Sequence, residues 1–370
     1  MVGSHDRYGY AIAIPARNEE GRIAQCLQAC HDSMRCWTVP GAIAVVVNNS
    51  NDATAQRARE WALMLGAPLV VEERIFATDK AHAGSARRAA LDLARSLVHG
   101  NGYLLTTDAD TRPAVTWVEE SLTPLRQNKG ALVCGTFDLD EAEYARLPPE
   151  ITRRGAIEDR YRQIARELTN LLDPDLHNTW PFHGQASGAS LAMSAAAYDR
   201  IGGAPIVPCA EDRALARRFF EHDLPIIYSD NARVLTSCRL DGRAAGGMAE
   251  TIASRVAGRT HICDESVESA EMVWLRADLR ARLRAAFRNA PLRTAILKEA
   301  GLGPPWGGDV PAFTGFGAFW AFVERTSPRL TRRRMVWEEM VEELPCLEAL
   351  RDKASARSSP PPPNTRELIA

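Results

Sequence analysis

Four short apolar runs in the first part of the chain, and the spacing between them, restrict the fold more than any other feature of the sequence. YAIAIP (10–15), AIAVVV (42–47), PLVVEE (68–73) and GYLLTT (102–107) have the length and the aliphatic or β-branched content of buried strands. Segments of helical period lie between them. Ile23, Leu27 and Cys30 share one face, Ala58, Ala62 and Leu65 a second, and Ala86, Ala90, Leu93 and Leu97 a third. Strand and helix alternating at roughly 25 to 35 residues predict right-handed βαβ units and a mainly parallel α/β sheet. Ligands of such sheets bind beyond the carboxyl ends of the strands, so the loops after each strand are where chemistry is sought.

Beyond residue 113 the alternation loosens. Pro113 is read as opening a helix that carries Val118, Leu122 and Leu125 on one face. ALVCGTF (131–137) reads as a strand, and a polar helical stretch runs from about 150 to 172. NTWPFHGQASGASLAMS (178–194) is rich in small and aromatic residues. AEDRALARRFFEH (210–222) is helical, LPIIYSD (224–230) a strand, and ARVLTSCRLDGRAAGG (232–247) a strand leaving into a basic, glycine-rich loop. From about 250 to 345 the chain is mostly charged helix. The tail SARSSPPPPNTRELIA cannot form a core and is expected to be disordered. The expected domains are therefore 1–248, the α/β domain; 249–346, a helical extension; and 347–370, a disordered tail.

Charge excludes some partners. Forty-five Lys and Arg against 47 Asp and Glu give a net of −2, which offers no electrostatic reason for nucleic acid to be the main partner. No apolar run approaches the length that spans a bilayer, and the start MVGSHDRYGYAIAIP lacks the apolar core of a secretory signal, so a cytoplasmic address is expected. The arginines Arg276, Arg280, Arg282 and Arg284 leave room for peripheral contact with a membrane or an acidic acceptor, although a solvated helix face is the plainer reading. Cys26, Cys30 and Cys36 with His31 form the one cysteine cluster. It lacks a CxxC pair, and Cys26 and Cys30, four apart on a helix, are read as core packing.

The strand-end loops hold the candidate chemistry. IPARNEEGR after the first strand is not GxGxxG, so a dinucleotide site has no support there. NNSNDAT after the second offers Asn49 and Asp52 for a base or ribose, with Asn51 or Asp52 as a helix cap the alternative. DKAHAGSARRAA after the third places Arg87 and Arg88 at a helix start, where an exposed arginine pair is usually a solvated face. TTDADT after the fourth presents Asp108 and Asp110. Two carboxylates one residue apart repel unless a cation joins them, and oxygen ligands suit Mg²⁺ or Mn²⁺; the alternative is that one aspartate caps the next helix. Glu211 and Asp212 stand at a helix N-terminus, where the dipole favours carboxylates and where a general base is equally well placed. Arg239 and Arg243 suit the gripping of phosphate oxygens. HGQASGAS lets a sugar approach the backbone or simply packs closely.

Taken in order, IPARNEE, VVVNNSNDAT, AGSARRAA, TTDADT, GASLAMSAAAYDRIGG, AEDRALARR and TSCRLDGR resemble the glycosyltransferase family 2 pattern on the GT-A fold, over about residues 8 to 247. The resemblance implies a Rossmann-like, mixed but mainly parallel sheet flanked by helices. It implies a nucleotide-diphosphate sugar donor, with a UDP-sugar favoured, Mn²⁺ or Mg²⁺ as cofactor, and transfer to an acceptor hydroxyl of a sugar, lipid or small molecule with inversion. Carried over residue by residue, Asp108 and Asp110 match the DxD pair, with Asp110 the direct metal ligand, and Asp212 matches the catalytic aspartate. Pro15 and Glu19 match the nucleotide-side loop after the first strand. Asn49 and Arg87 match positions at the base and ribose, and Arg239 and Arg243 a loop over the diphosphate. Asn49 departs from the Asp found in many members. The QxxRW of polymer synthases is missing. The rival readings are a non-catalytic nucleotide-sugar binder with a vestigial site and a sugar-phosphate nucleotidyltransferase. The second of these needs a glycine-rich basic loop after the first strand, where IPARNEEGR has one glycine.

Overall fold

The computed structural model describes residues 8–242, 246–302 and 312–358. In chain order it contains β1 (Tyr8–Ala16), α1 (Ile23–Arg35), β2 (Gly41–Asn48), α2 (Thr54–Leu65), β3 (Leu69–Arg74), α3 (Ala83–Leu97), β4 (Val98–Thr106), β5 (Thr111–Pro113), α4 (Trp117–Gln127) and β6 (Leu132–Leu139). There follow α5 (Glu141–Tyr144), α6 (Pro149–Leu172), β7 (Leu191–Ser194), α7 (Ala195–Arg200), α8 (Glu211–Glu221), β8 (Ile226–Thr236) and α9 (Met248–Val256). The last helices are α10 (Ala270–Ala285), α11 (Ala290–Glu299), α12 (Phe316–Thr326) and α13 (Trp337–Ser358).

One sheet runs in the order β3-β2-β1-β4-β7-β6-β8-β5. The pairs among β1 to β4 are parallel, as is β6 with β8, whereas β7 is antiparallel to β4 and β6, and β5 to β8. β2 is buried at every position, as its unbroken apolar run requires of a strand covered on both faces. Ile12, Ile14, Ile43 and Val45 point to one face, with α1, α2 and α4 over them. Ala11, Ala13, Ala44 and Val46 point to the other, where α3, α7 and α8 supply Leu91, Tyr198, Leu215 and Phe219. The expected mixed, mainly parallel sheet flanked by helices is thus present. Cys26 and Cys30 are buried on the core face of α1, as packing residues.

Four local expectations are corrected. Pro113 ends β5 instead of opening a helix, and α4 starts only at Trp117. The segments read as two strands around residue 231 are one strand, β8, whose pairing with β6 shifts register between Gly135 and Thr136. Gly135 allows this, since a Cβ there would lie 2.1 Å from the Ala232 carbonyl oxygen. β7 lies inside a stretch not read as a strand, and Pro15 lies within β1, not in the loop after it.

The described residues divide into two units differently from the expected boundaries: those up to 148 with those of 182–259, and those of 149–181 with those from 260 onward. α6 therefore belongs with the C-terminal helices, because Tyr161, Ile164 and Leu168 form its buried stripe with Val273, Met340 and Leu347. α13 continues to Ser358, so residues 347–358 are helix and not tail, with Leu347 and Ala354 buried; residues 359–370 lie outside the described part. In this second unit the arginines of α10 are not a bare solvated face. Arg276 is buried against Glu268 and Glu324, while Arg280 and Arg284 both meet Asp173 at the end of α6. Among the described residues no helix is long and apolar enough to cross a membrane.

Candidate active site

β1 pairs with β2 on one side and β4 on the other, so chain order reverses between β1 and β4. The crevice outside their carboxyl ends is where an open α/β sheet binds ligands. Backbone hydrogen bonds stitch the loops after β1 and β2 together. Asn18 N–H donates to Ser50 Oγ at 3.0 Å, Asn51 N–H to Asn18 Oδ1 at 2.9 Å, and Glu19 N–H to Thr54 Oγ1 at 2.8 Å. Asp52 accepts the Thr54 N–H at the start of α2 and the Glu20 N–H opposite, so it serves as a helix-start acceptor. Asn49, in the left-handed region at φ 45°, uses both ends of its amide on the Phe76 backbone, at 2.9 and 3.1 Å. That side chain ties the loop after β2 to the loop after β3.

The aspartate pair follows β4. β5 intervenes before α4, whose N-cap is Thr116, so neither Asp108 nor Asp110 caps that helix. The charge that holds Asp108 is Arg87, whose Nη2 donates to Asp108 Oδ1 at 2.7 Å. The same guanidinium donates from Nε to Glu211 Oε1 at 2.9 Å, and from Nη1 to Thr106 Oγ1 and the Gly188 carbonyl, each at 3.0 Å. Arg87 is 5% exposed, which corrects the solvated-pair reading for it. Burial works against its charge, but Asp108, Glu211 and Asp212 outweigh that and keep it protonated. Arg88 instead reaches Asp92 and the carbonyls of Gly202 and Ala204. Gly188 is required beside Arg87, because a Cβ would stand 2.2 Å from Nη2. Close packing thus accounts for this glycine of the small-residue stretch.

The Gly188 peptide faces both ways. Its carbonyl accepts from Arg87, and its N–H donates to Asp212 Oδ2 at 3.0 Å. Asp212 Oδ1 accepts the Arg213 N–H at 2.7 Å. Ala210 enters α8 at φ 53°, and the next two residues diverge: Glu211 is buried onto Arg87, while Asp212 keeps partial exposure. Burial first, then Glu211, raises the Asp212 carboxyl above the usual carboxylate range, with Arg87 and the two N–H groups opposing.

A second arginine closes the other side. Arg239, three residues past β8, grips both carboxylate oxygens of buried Glu19, with Nη1 to Oε2 at 2.8 Å, and its Nη2 lies 3.1 Å from Asp110 Oδ2. Arg243 lies outside the described residues. Burial first, then Asp108, pushes the Asp110 carboxyl up to about 7. A polar cavity of about 160 Å³ opens beside Asp110, lined by Arg22, Gln25, Arg112, Asp140, Glu143 and Ser237.

Asp108 and Glu211 are thus bound to Arg87, Glu19 and Asp110 to Arg239, with Arg22 also acting on Asp110, while Asp212 is held by backbone N–H groups. Among the described residues no group of three or more His, Cys, Asp or Glu side chains is arranged to hold a metal ion. One or two carboxylates suffice when phosphate oxygens and water complete an octahedron, and oxygen donors suit Mg²⁺ or Mn²⁺. Asp110, which lines the polar cavity and meets Arg239 through one oxygen, fits that requirement.

The acidic cluster thus lies at the switch point of a mainly parallel α/β sheet, where such sheets bind ligands. The profile of the family described as glycosyl transferase family 2 matches residues 11–185, from β1 through the aspartate pair to the loop before Gly188. Residues 11–185 thus carry a glycosyl transferase family 2 domain, and the chain is a glycosyltransferase using a nucleotide-sugar donor. No curated protein matches the chain. Among solved structures, the TarS protein of S. aureus in complex with UDP-GlcNAc is 14% identical over 79% of this chain and 83% of its own, with a TM-score of 0.45. The mannosyltransferase PcManGT of Pyrobaculum calidifontis with GDP-Man and Mn²⁺ is 18% identical over 95% and 88%, at 0.46. The glucosyl-3-phosphoglycerate synthase of Mycobacterium tuberculosis with Mg²⁺ and UDP is 18% identical over 68% and 79%, at 0.39. Likeness at this level decides neither donor nor acceptor.

Proposed function

We propose that the chain transfers a sugar from a nucleotide diphosphate, a UDP-sugar before others, to an acceptor hydroxyl by one direct displacement that inverts the anomeric carbon. The observation that carries this reading is the seating of Asp212. Its carboxylate is fixed by the N–H groups of Gly188 and Arg213, and the Gly188 peptide is bound in turn to the arginine that holds Asp108. Asp212 takes the proton of the acceptor hydroxyl, and burial and Glu211 raise its affinity for protons, the direction a general base requires. Asp110, with Asp108 beside it, would hold Mn²⁺ or Mg²⁺ near the diphosphate. When bound, that cation neutralises charge on the departing nucleotide. Glu19 and Arg239 stand beside Asp110, and Asn49 braces the loop after β2 against the loop after β3. The acceptor is a sugar, lipid or small-molecule hydroxyl, and the place of action is the cytoplasm.

The test is Asp212→Asn. Removing a general base costs typically about 10²- to 10⁴-fold in rate, so turnover should collapse while nucleotide affinity stays within a few-fold. Unchanged turnover removes Asp212 from the role of base. No turnover by the wild-type protein with any nucleotide sugar, despite nucleotide binding, returns the reading to a non-catalytic binder.

A further inference from the structure

Arg239 is placed differently from an ordinary phosphate-gripping arginine. Both oxygens of Glu19 take its guanidinium, and Glu19 is itself fixed by its own N–H on Thr54 Oγ1. The side chains of Arg239 and Glu19 are 12% and 6% exposed, so the pair is a desolvated, two-pronged ion pair. Asp110 meets only one corner of the same guanidinium, the Nη2 already shared with Glu19, at 3.1 Å. Among the described residues a second cation acting on Asp110, Arg22, is bound to Glu143 at 2.8 Å. Asp110 is therefore the weakly held member of a three-residue chain, and it is also the carboxylate that fits a metal.

We propose that Arg239 is an exchangeable counter-ion of Asp110, anchored by Glu19 and displaced from Asp110 by a divalent cation. Glu19 is then a positioning residue that keeps the guanidinium at the rim of the site after exchange, where its freed Nη2 can turn to a diphosphate oxygen. This rests on the metal-assisted reading above and assigns to two residues of that site a competition with the metal.

The two ends of the chain give opposite expectations for Mn²⁺ alone, measured as free Mn²⁺ by electron paramagnetic resonance without nucleotide. Arg239→Gln removes the competitor and should tighten Mn²⁺ binding by about tenfold, as expected for loss of one positive charge a few ångströms away at intermediate effective dielectric. Arg239→Lys keeps the charge and should stay near wild type. Glu19→Gln leaves Arg239 to Asp110 alone and should weaken Mn²⁺ binding several-fold. A misfolded variant loses the site, and a cooperative thermal transition in each variant shows that the first result comes from folded protein. Equal or weaker binding by Arg239→Gln, with nucleotide binding still dependent on Mn²⁺, overturns the exchange and leaves the metal reading standing. No Mn²⁺ binding by any variant, with or without nucleotide, overturns both.

Discussion

Asp108 and Arg87 are joined at 2.7 Å, and the guanidinium that holds Asp108 also holds Glu211 at 2.9 Å, so the loop after β4 and the start of α8 are bound to one buried cation. One member of each of two acidic pairs far apart in the chain is thereby held by a single positive centre, and the Gly188 peptide links that centre to Asp212.

Arg87→Met should leave Glu211 buried and unpaired. Breaking a buried pair by removing one partner costs about 3–5 kcal/mol. Urea unfolding should show a lowered midpoint with an unchanged slope, and Arg87→Lys should lose less.

Gly188→Ala places a methyl group 2.2 Å from Arg87 Nη2 and 2.4 Å from Cζ. Overpacking of this kind costs about 1–3 kcal/mol, and here it also displaces the peptide that seats Asp212. A melting temperature lowered by several degrees and a kcat reduced more than the KM for donor are expected; thermal denaturation and steady-state kinetics check both.

Asp110 links stability to pH in a defined direction. Its folded carboxyl is raised to about 7, chiefly by burial and then by Asp108, so the neutral form is favoured in the fold. The stability this contributes is fully present below the ordinary aspartate value of about 4 and is lost as pH rises through about 7. Asp110→Asn should therefore be more stable than wild type at pH 8 in EDTA, by on the order of a few kcal/mol, and the gain should shrink towards pH 5. Thermal denaturation at the two pH values measures it.

Asp212 sets the acid limb of the pH profile. Because burial and Glu211 raise its carboxyl, kcat/KM should fall as pH drops through a midpoint above the ordinary value of about 4. A limb at or below that value would remove the reason for calling Asp212 a tuned base.

Leu347 tests where the second unit ends. It is fully buried on α13 beside Tyr161 and Met340, and Leu347→Ala should cost about 2–5 kcal/mol in urea unfolding. A neutral result would return residues beyond 346 to the status of a tail.

The sheet from β1 to β4 was legible because each strand is a continuous apolar run followed by a helix of regular period, a pattern local to about thirty residues. What escaped depended on distant partners. β7 is four residues long and hidden among small side chains, and it is a strand because Leu191 and Met193 find β4 and β6. The helix 150–172 was visible, but its allegiance to α13 rests on a sparse apolar stripe within a polar sequence. Of the candidate site, the aspartate pair and Asp212 were readable as carboxylates at strand and helix ends. The burial of Arg87 was not, since its partner Glu211 lies 124 residues away and its fit depends on a glycine at 188. The Glu19–Arg239 pair, 220 residues apart, was equally invisible.

The most direct measurement is a thermal-shift panel of UDP, GDP, ADP and dTDP, each with Mn²⁺ and with EDTA, on wild type and Asp110→Ala. A ligand that binds only the folded state raises its apparent stability by mass action. A rise for one nucleotide, UDP first, that requires Mn²⁺ and vanishes in Asp110→Ala is the expected result. A rise that is the same in EDTA and in the variant, or no rise with any nucleotide from a folded sample, would contradict metal-assisted donor binding at Asp110.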